Sequence, residues 1–166
     1  MIFNCLSHDV VAHETTHALL DGLHPYYQER TNPDMAAFHE AFADIVALFQ
    51  HFSIPEALRF TIAKTRGDLS VQNLLADLAQ QFGQASDGSR ALRSGLGKKA
   101  SPTDYSDATE AHARGAVLLA AIFEAFVSLY EARSTDLKRL ATGGTGVLAP
   151  GEIPPEIRVR SIGTVG

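Results

Sequence analysis

The chain places two histidines four residues apart, His13 and His17, with Glu14 directly after the first. In an α-helix, side chains at this spacing lie about one turn apart on the same side, so both imidazoles can reach one metal ion. Glu14 points about 100° further around the helix, where its carboxylate can contact a metal-bound water. Zinc held by neutral imidazoles with one open position lowers the pKa of that water to about 7. The segment therefore predicts a zinc site for hydrolysis in which Glu14 takes the proton.

The residues around this motif favour a helix. Apolar residues flank the two histidines, Ser7 or Asp9 can cap the start, and Gly22 is well placed just past the end. The alternative is that His13 and His17 are two ordinary surface histidines on a helix, because a pattern this short also arises by chance.

A second pair of residues supplies a candidate third ligand. Asn32, followed by proline, has the pattern of a cap for a largely apolar helix that contains Glu40 and Asp44. These two carboxylates lie four residues apart and so share a face. Charged side chains in apolar surroundings need a cation, so one carboxylate can bind the metal while the other accepts the free N–H of a ligand imidazole. The alternative is that both face water on an amphipathic helix.

Residues 9–18 closely resemble the zinc helix of the thermolysin-like metallopeptidases. In that family a later glutamate, in a Glu-x-x-x-Asp pattern, is the third zinc ligand, and residues 40–44 match this pattern. The resemblance implies roles for five residues: the zinc ligands His13, His17 and Glu40, the general base Glu14, and Asp44 as the partner of His13.

The same family uses a later histidine to hydrogen-bond the oxyanion, and an aspartate upstream of that histidine orients it. His112 and Asp107 match the family's spacing, so the resemblance implies that both are catalytic. A donor aimed at the developing oxyanion contributes about 3 kcal/mol to catalysis. The alternative is that Asp107 and Glu110 form a capping box that opens a helix, with His112 an ordinary first-turn residue.

The resemblance covers three segments, residues 7–20, 32–49 and 107–123, and is weak elsewhere. The family carries a β-rich half before the zinc helix, and this half forms one wall of the cleft. Here the zinc helix comes near the start of the chain, so we expect a fragment of a longer protein, with an N-terminal domain as its partner, or a minimal relative. The family's calcium ligands are poorly matched, and calcium is not predicted.

The composition is that of one modest globular domain. The chain has 166 residues, 45% of them hydrophobic, and its formal net charge of −5 argues against nucleic-acid binding. The longest clean apolar run, about residues 116–123, is too short to span a membrane, so no membrane partner is expected. No signal peptide is visible, and the compartment is left open. A single cysteine, Cys5, excludes an internal disulfide.

Helical periodicity continues along the chain, and no segment shows convincing period-two alternation. A capping signal at Ser53 opens a helix to about Arg66, residues 70–82 carry an apolar stripe, and residues 109–132 are apolar nearly all round. The expected fold is an all-α orthogonal bundle of about five helices, like the C-terminal half of the resembled family.

Two stretches break the helical pattern. Residues 83–102 are rich in glycine and serine and predict a surface loop, with a lid over the cleft as the alternative. The glycine and proline content of residues 142–166 predicts a tail or a linker. The predicted organisation is a helical zinc-peptidase-like domain over residues 1–141 followed by this tail.

These features together predict a zinc metallopeptidase that acts on a peptide or protein substrate. Zinc would polarise the carbonyl, Glu14 would activate water, and His112 would steady the oxyanion. One alternative is a metal-binding but inactive domain with a structural or recognition role in a larger protein. Another is a di-iron four-helix protein, since Glu14 and His17 also form Glu-x-x-His; that architecture needs a second copy of the motif, which the sequence lacks.

Overall fold

The computed structural model describes residues 8–29, 31–66 and 101–149. Within these ranges the chain is helical and has no strand, which confirms the all-α bundle of about five helices. The helices are α1 (His8–Leu23), α2 (Pro33–Ser53), α3 (Pro55–Thr65), α4 (Pro102–Asp107) and α5 (Ala111–Ala141). A short 3₁₀ turn, Pro25–Gln28, lies between α1 and α2.

The ends of α1 and α2 follow the sequence signals closely. The side-chain Oδ1 of Asn32 accepts hydrogen bonds from the backbone N–H groups of Asp34, at 2.9 Å, and of Met35, at 3.1 Å. This cap satisfies donors that have no partner within the helix. Gly22 lies inside α1, which ends at Leu23, so the helix runs slightly further than the glycine indicated.

Four other sequence predictions, three of helices or their caps and one of a loop, have different outcomes. Ser53 is not the cap of α3: it is the last residue of α2, and the cap position belongs to Ile54, which makes no side-chain hydrogen bond there. Proline at the first helical position is enough to start α3, because its backbone angle already suits a helix. The helix predicted at 109–132 exists but extends to Ala141. The helix predicted at 70–82 lies outside the described residues. So does the loop predicted at 83–102, except for its last two residues, Ser101 and Pro102, which are the cap and the first residue of α4.

α2 and α5 approach each other very closely at one point. A Cβ atom added to Gly115 of α5 would lie 2.7 Å from the carbonyl oxygen of Ala37 and 3.2 Å from the backbone nitrogen of Ala41, both on α2. Ala37 and Ala41 are themselves buried. The absence of larger side chains at these positions lets the two backbones touch, and it brings the first turn of α5 beside the middle of α2.

A polar contact joins the starts of α2, α4 and α5. Oδ1 of Asp34 accepts hydrogen bonds from the hydroxyl of Tyr105 at 2.8 Å and from Nη1 of Arg114 at 2.7 Å. The guanidinium of Arg114 also lies over the Tyr105 ring, 4.9 Å from its centroid. These contacts orient the beginning of α5 relative to α2.

The main core lies where α1, α2 and α5 meet. All three helices contribute buried side chains to it: Ala12, Ala47, Leu48, Phe52, Leu119 and Phe123. The ring of Phe126 adds contacts to Phe49 and Phe52, with centroids 5.1 and 5.6 Å apart. A smaller cluster joins Ile62 of α3 to Leu148, in the non-helical segment after α5. Within the described start of the predicted tail, Leu148 is thus packed on the helices.

α5 is long and apolar enough to cross a membrane, by length and composition only. This differs from the expectation that no segment reaches that length, because α5 continues on both sides of the apolar run at 116–123, past the charged residues Arg114 and Glu124. Of its most apolar 18-residue window, 28% is buried inside the described protein. Core helices pass the same test, and Leu119 and Phe123 of α5 belong to the core, so the finding is weak evidence for a membrane.

Candidate metal centre

α1 and α2 pack against each other and bring the three predicted ligands together. The Nε2 atoms of His13 and His17 are 3.0 Å apart. Oε2 of Glu40 lies 3.4 Å from the first of these atoms and 3.6 Å from the second. Tetrahedral zinc, with bonds of about 2.0–2.1 Å, holds its ligand atoms about 3.3–3.4 Å apart. The three atoms are therefore spaced like three corners of such a tetrahedron.

The three candidate ligands are partly exposed to water. Side-chain exposure is 19% for His13, 21% for His17 and 23% for Glu40, so each is largely covered but none is sealed. A centre with three protein ligands and one accessible position has the form of a catalytic zinc site, whereas structural zinc sites are closed by four protein ligands.

The carboxylate of Asp44 lies behind His13. Its Oδ1 is 2.8 Å from Nδ1 of that ring, on the side away from Glu40, and Asp44 is buried at 7% exposure. A carboxylate in this position holds the imidazole in one orientation and leaves Nε2 facing the centre. The structure thus places Asp44 as a direct hydrogen-bond partner of His13.

The two carboxylates set the charge of His13 in the metal-free protein. Burial lowers the pKa of His13, but the hydrogen bonds from its ring to Asp44 and Glu40 outweigh burial and raise the pKa to about 10. Hydrogen bonds from His13 and His17 hold the pKa of Glu40 well below its usual range. The site therefore pairs a cationic His13 with an anionic Glu40, and a metal ion bound there would have to displace the ring proton.

Glu14 follows His13 on α1, and its side chain is exposed to water. Within the described part of the chain, no hydrogen bond or ion pair fixes its carboxylate. It is therefore free to contact a water molecule, as a general base requires.

His112 reaches the centre from α5. Its Nε2 is 3.2 Å from the same Oε2 of Glu40 that faces the two α1 histidines. The close approach of α5 to α2 at Gly115, less than one helical turn further on, accounts for this position. The structure therefore gathers side chains from three helices around one carboxylate oxygen.

Glu110, and not Asp107, contacts His112 in this structure. Oε1 of Glu110 is 2.7 Å from Nδ1 of the ring, and its Oε2 accepts the backbone N–H of Ala113 at 3.0 Å. Glu110 is thus the cap of α5, while Asp107 is the exposed last residue of α4. Asp107 therefore does not orient His112 here, as the resemblance implied. The capping box also differs from the prediction, because the cap of the helix is Glu110 and not Asp107. The Glu-x-His spacing was the available sequence signal.

The sequence did not predict a second polar contact behind the centre, between His17 and His39. Nδ1 of His17 and Nδ1 of His39 are 2.9 Å apart, and the two ring planes are within 13° of parallel. Nε2 of His39 in turn lies 3.1 Å from Oδ1 of Asp21. The available signals were that Asp21 follows His17 by one helical turn and that His39 directly precedes Glu40.

Comparison with models of protein families, with curated proteins and with solved structures finds no match to this chain.

Proposed function

We propose that this chain is a zinc-dependent hydrolase domain of thermolysin-like type that cleaves peptide bonds. One observation carries the proposal: the Nε2 atoms of His13 and His17 and Oε2 of Glu40 lie 3.0 to 3.6 Å from one another. These separations fit a single tetrahedral ion, and the residues that supply them match the family's ligand pattern.

The donor set supports zinc as the ion. Two imidazole nitrogens and one carboxylate oxygen form a ligand set typical of catalytic zinc, whereas magnesium and calcium prefer oxygen ligands alone. When bound, zinc supplies Lewis acidity and makes a water molecule acidic enough to act as a nucleophile near neutral pH.

Glu14 is the proposed base. A general base needs a carboxylate within reach of the water and free of competing partners, and the exposed side chain of Glu14 satisfies the second condition. Its position directly after His13 on the helix keeps it off the ligand positions. After accepting the proton, the same carboxyl group can return it to the leaving amine.

His112 is the proposed oxyanion donor, with Glu110 as its positioning residue. Burial lowers the pKa of His112, but the hydrogen bond to Glu110 and the charge of Glu40 outweigh it and raise the pKa. A doubly protonated ring donates from Nδ1 to Glu110 and still carries a proton at Nε2, which faces the centre. That second N–H is the group that can donate to a developing oxyanion.

The test measures metal content and turnover separately. Protein purified without chelator should contain about one zinc per chain, lost in His17→Ala and in Glu40→Ala. With a broad peptide substrate, Glu14→Gln should abolish turnover and keep the zinc. The matched control is Glu131→Gln, which makes the same change at an exposed position of α5 and should alter neither.

The metal-binding but inactive alternative has a distinct outcome in the same experiment. Stoichiometric zinc without turnover dependent on Glu14 would overturn the enzymatic part of the proposal and leave the metal site. Protein that takes up no zinc, or that keeps it in both His17→Ala and Glu40→Ala, would overturn the whole of it.

A further inference from the structure

We propose that His39 and Asp21 are positioning residues of the metal centre, which hold the ring of His17 and determine which of its nitrogens faces the ion. This inference rests on the proposed function and extends it to two residues that no motif assigned. It starts from a difference between the two proposed histidine ligands: Asp44 contacts His13 directly, whereas no carboxylate of the described residues contacts Nδ1 of His17.

The acceptor behind His17 is an imidazole. If Nε2 of His17 binds the ion, the ring proton is on Nδ1, and this N–H points at Nδ1 of His39 across 2.9 Å. The near-parallel ring planes suit a hydrogen bond that lies in the plane of both rings. Nδ1 of His39 can accept this proton only if it carries none of its own, so His39 must carry its proton on Nε2.

Asp21 selects that form of His39. Its Oδ1 lies 3.1 Å from Nε2 of His39, and both atoms are fully buried. Their present alignment falls short of a formed hydrogen bond, and neither atom has another partner in the described part of the chain. A hydrogen bond between these two atoms would satisfy both of them. Two buried polar atoms at this distance are costly when unpaired, which favours the proton on the Nε2 side.

The order of groups from the ion outward is thus His17, His39 and Asp21, all on α1 or α2. Outer partners of this kind fix the tautomer and the ring orientation of a ligand histidine, and losing one typically costs 10- to 100-fold in metal affinity. His39 directly precedes Glu40, so one turn of α2 supplies both a ligand and the support for another ligand.

The test compares variants of His39 that differ only in whether they can accept a hydrogen bond. Oδ1 of asparagine is as many bonds from Cα as Nδ1 of histidine, so His39→Asn keeps an acceptor for His17 but loses the connection to Asp21. His39→Leu removes the acceptor. We expect zinc affinity, measured by competition with a chelator, to fall about 10- to 100-fold in His39→Leu and to stay close to wild type in His39→Asn.

The substitution Asp21→Ala is tested in two proteins, the wild type and His39→Asn. Asp21→Ala should lower zinc affinity when His39 is present and have no further effect in His39→Asn, because the asparagine needs no partner to present its oxygen. The ¹⁵N shifts of His17 give a second measurement: Nδ1 should remain protonated in wild type and in His39→Asn, and the two tautomers should mix in His39→Leu. His24→Leu, which removes an exposed histidine outside the centre, is the control.

The outcomes distinguish this inference from the proposed function. If wild type binds zinc and His17→Ala abolishes it, but His39→Leu binds as well as wild type, the positioning role is overturned and the metal site stands. If wild type binds no zinc, both fall. Should His39→Leu fail to fold, the Asp21→Ala pair decides, since equal losses in both backgrounds would also contradict the role of His39.

Discussion

The ring of His13 lies between two carboxylates, with Asp44 at its Nδ1 and Glu40 at its Nε2. In the metal-free protein both nitrogens donate, which is why the pKa of His13 rises to about 10 despite burial. A zinc ion bound at Nε2 would take the place of that proton and keep the contact to Asp44. Metal binding at this residue would therefore be an exchange of one cation for another, and it would depend on pH.

The first prediction follows from this exchange. At pH 8 an ordinary histidine, with a pKa of about 6.5, has already lost its proton, but His13 still carries one. Zinc binding at pH 8 should therefore release about one proton from His13, because the metal needs the neutral ring. Titration calorimetry in buffers of different ionisation enthalpy measures the number of protons released.

The control for this measurement is Asp44→Asn, which keeps an acceptor for His13 but removes a charge that raises its pKa. Protons released by a zinc-bound water are common to both proteins and cancel in the difference. Wild type should release more protons at pH 8 than Asp44→Asn. Equal release would show that the proton on His13 is not held as the structure indicates.

The sign of the stability effect follows from the same shift. A histidine whose pKa is raised on folding stabilises the metal-free protein below its ordinary pKa of 6.5, and the effect is lost as the pH rises through about 10. Glu40, with a lowered pKa, contributes in the opposite direction: its effect is present above its ordinary pKa of 4.5 and is lost as the pH falls. Both contributions to the stability of the metal-free protein are therefore fully present between about pH 4.5 and 6.5.

At the scale of elements, the contact between α2 and α5 determines where His112 lies. Gly115 meets the backbone of α2 at Ala37 and Ala41, and His112 is three residues earlier on the same helix. The atom nearest to an added Cβ is a backbone carbonyl oxygen, which cannot move aside as a flexible side chain can. A larger residue at position 115 therefore has to push the two helices apart.

The second prediction concerns Gly115→Ala. We expect a loss of about 1–3 kcal/mol in the free energy of unfolding, because overpacking forces the backbones to shift. The same shift should move His112 away from Glu40 and lower turnover more than zinc content. Denaturant unfolding, zinc analysis and peptide hydrolysis on the same preparation measure the three effects.

Gly22→Ala is the matched control for this substitution. Gly22 is also helical, but a Cβ added there meets nothing within 4 Å. Because alanine favours a helix over glycine, this variant should be unchanged or stabilised by up to about 1 kcal/mol. A Gly115→Ala protein as stable as Gly22→Ala would contradict the close contact between α2 and α5.

At the scale of the whole molecule, the features that the sequence predicted correctly are those that depend on a single helix. His13 with His17 and Glu40 with Asp44 are each four residues apart on one helix, so their shared faces follow from helical geometry alone. The all-helical fold follows in the same way from periodicity. The cap at Asn32 was also local, and it formed as the sequence indicated.

Relations between helices could not be predicted in this way. Whether Glu110 or Asp107 contacts His112 depends on where α4 ends and α5 begins, a difference of a few residues that capping patterns do not resolve. The pairing of Asp21 with His39 depends on the angle at which α1 meets α2. The role of Gly115 depends on the distance between two backbones, which no spacing along the chain encodes.

Zinc bound at the proposed centre would act on the whole fold, because the proposed ligands join α1 to α2. An ion that binds only the folded state adds about 4 kcal/mol of stability at a thousand times its dissociation constant, which corresponds to roughly ten degrees in melting temperature for a chain of this size. We expect zinc to raise the melting temperature of the wild type by this order and chelator to reverse it, as measured by thermal unfolding. His17→Ala should lose the response and His24→Ala should keep it. If zinc does not change the melting temperature of the wild type, the proposed metal link between the two helices is contradicted.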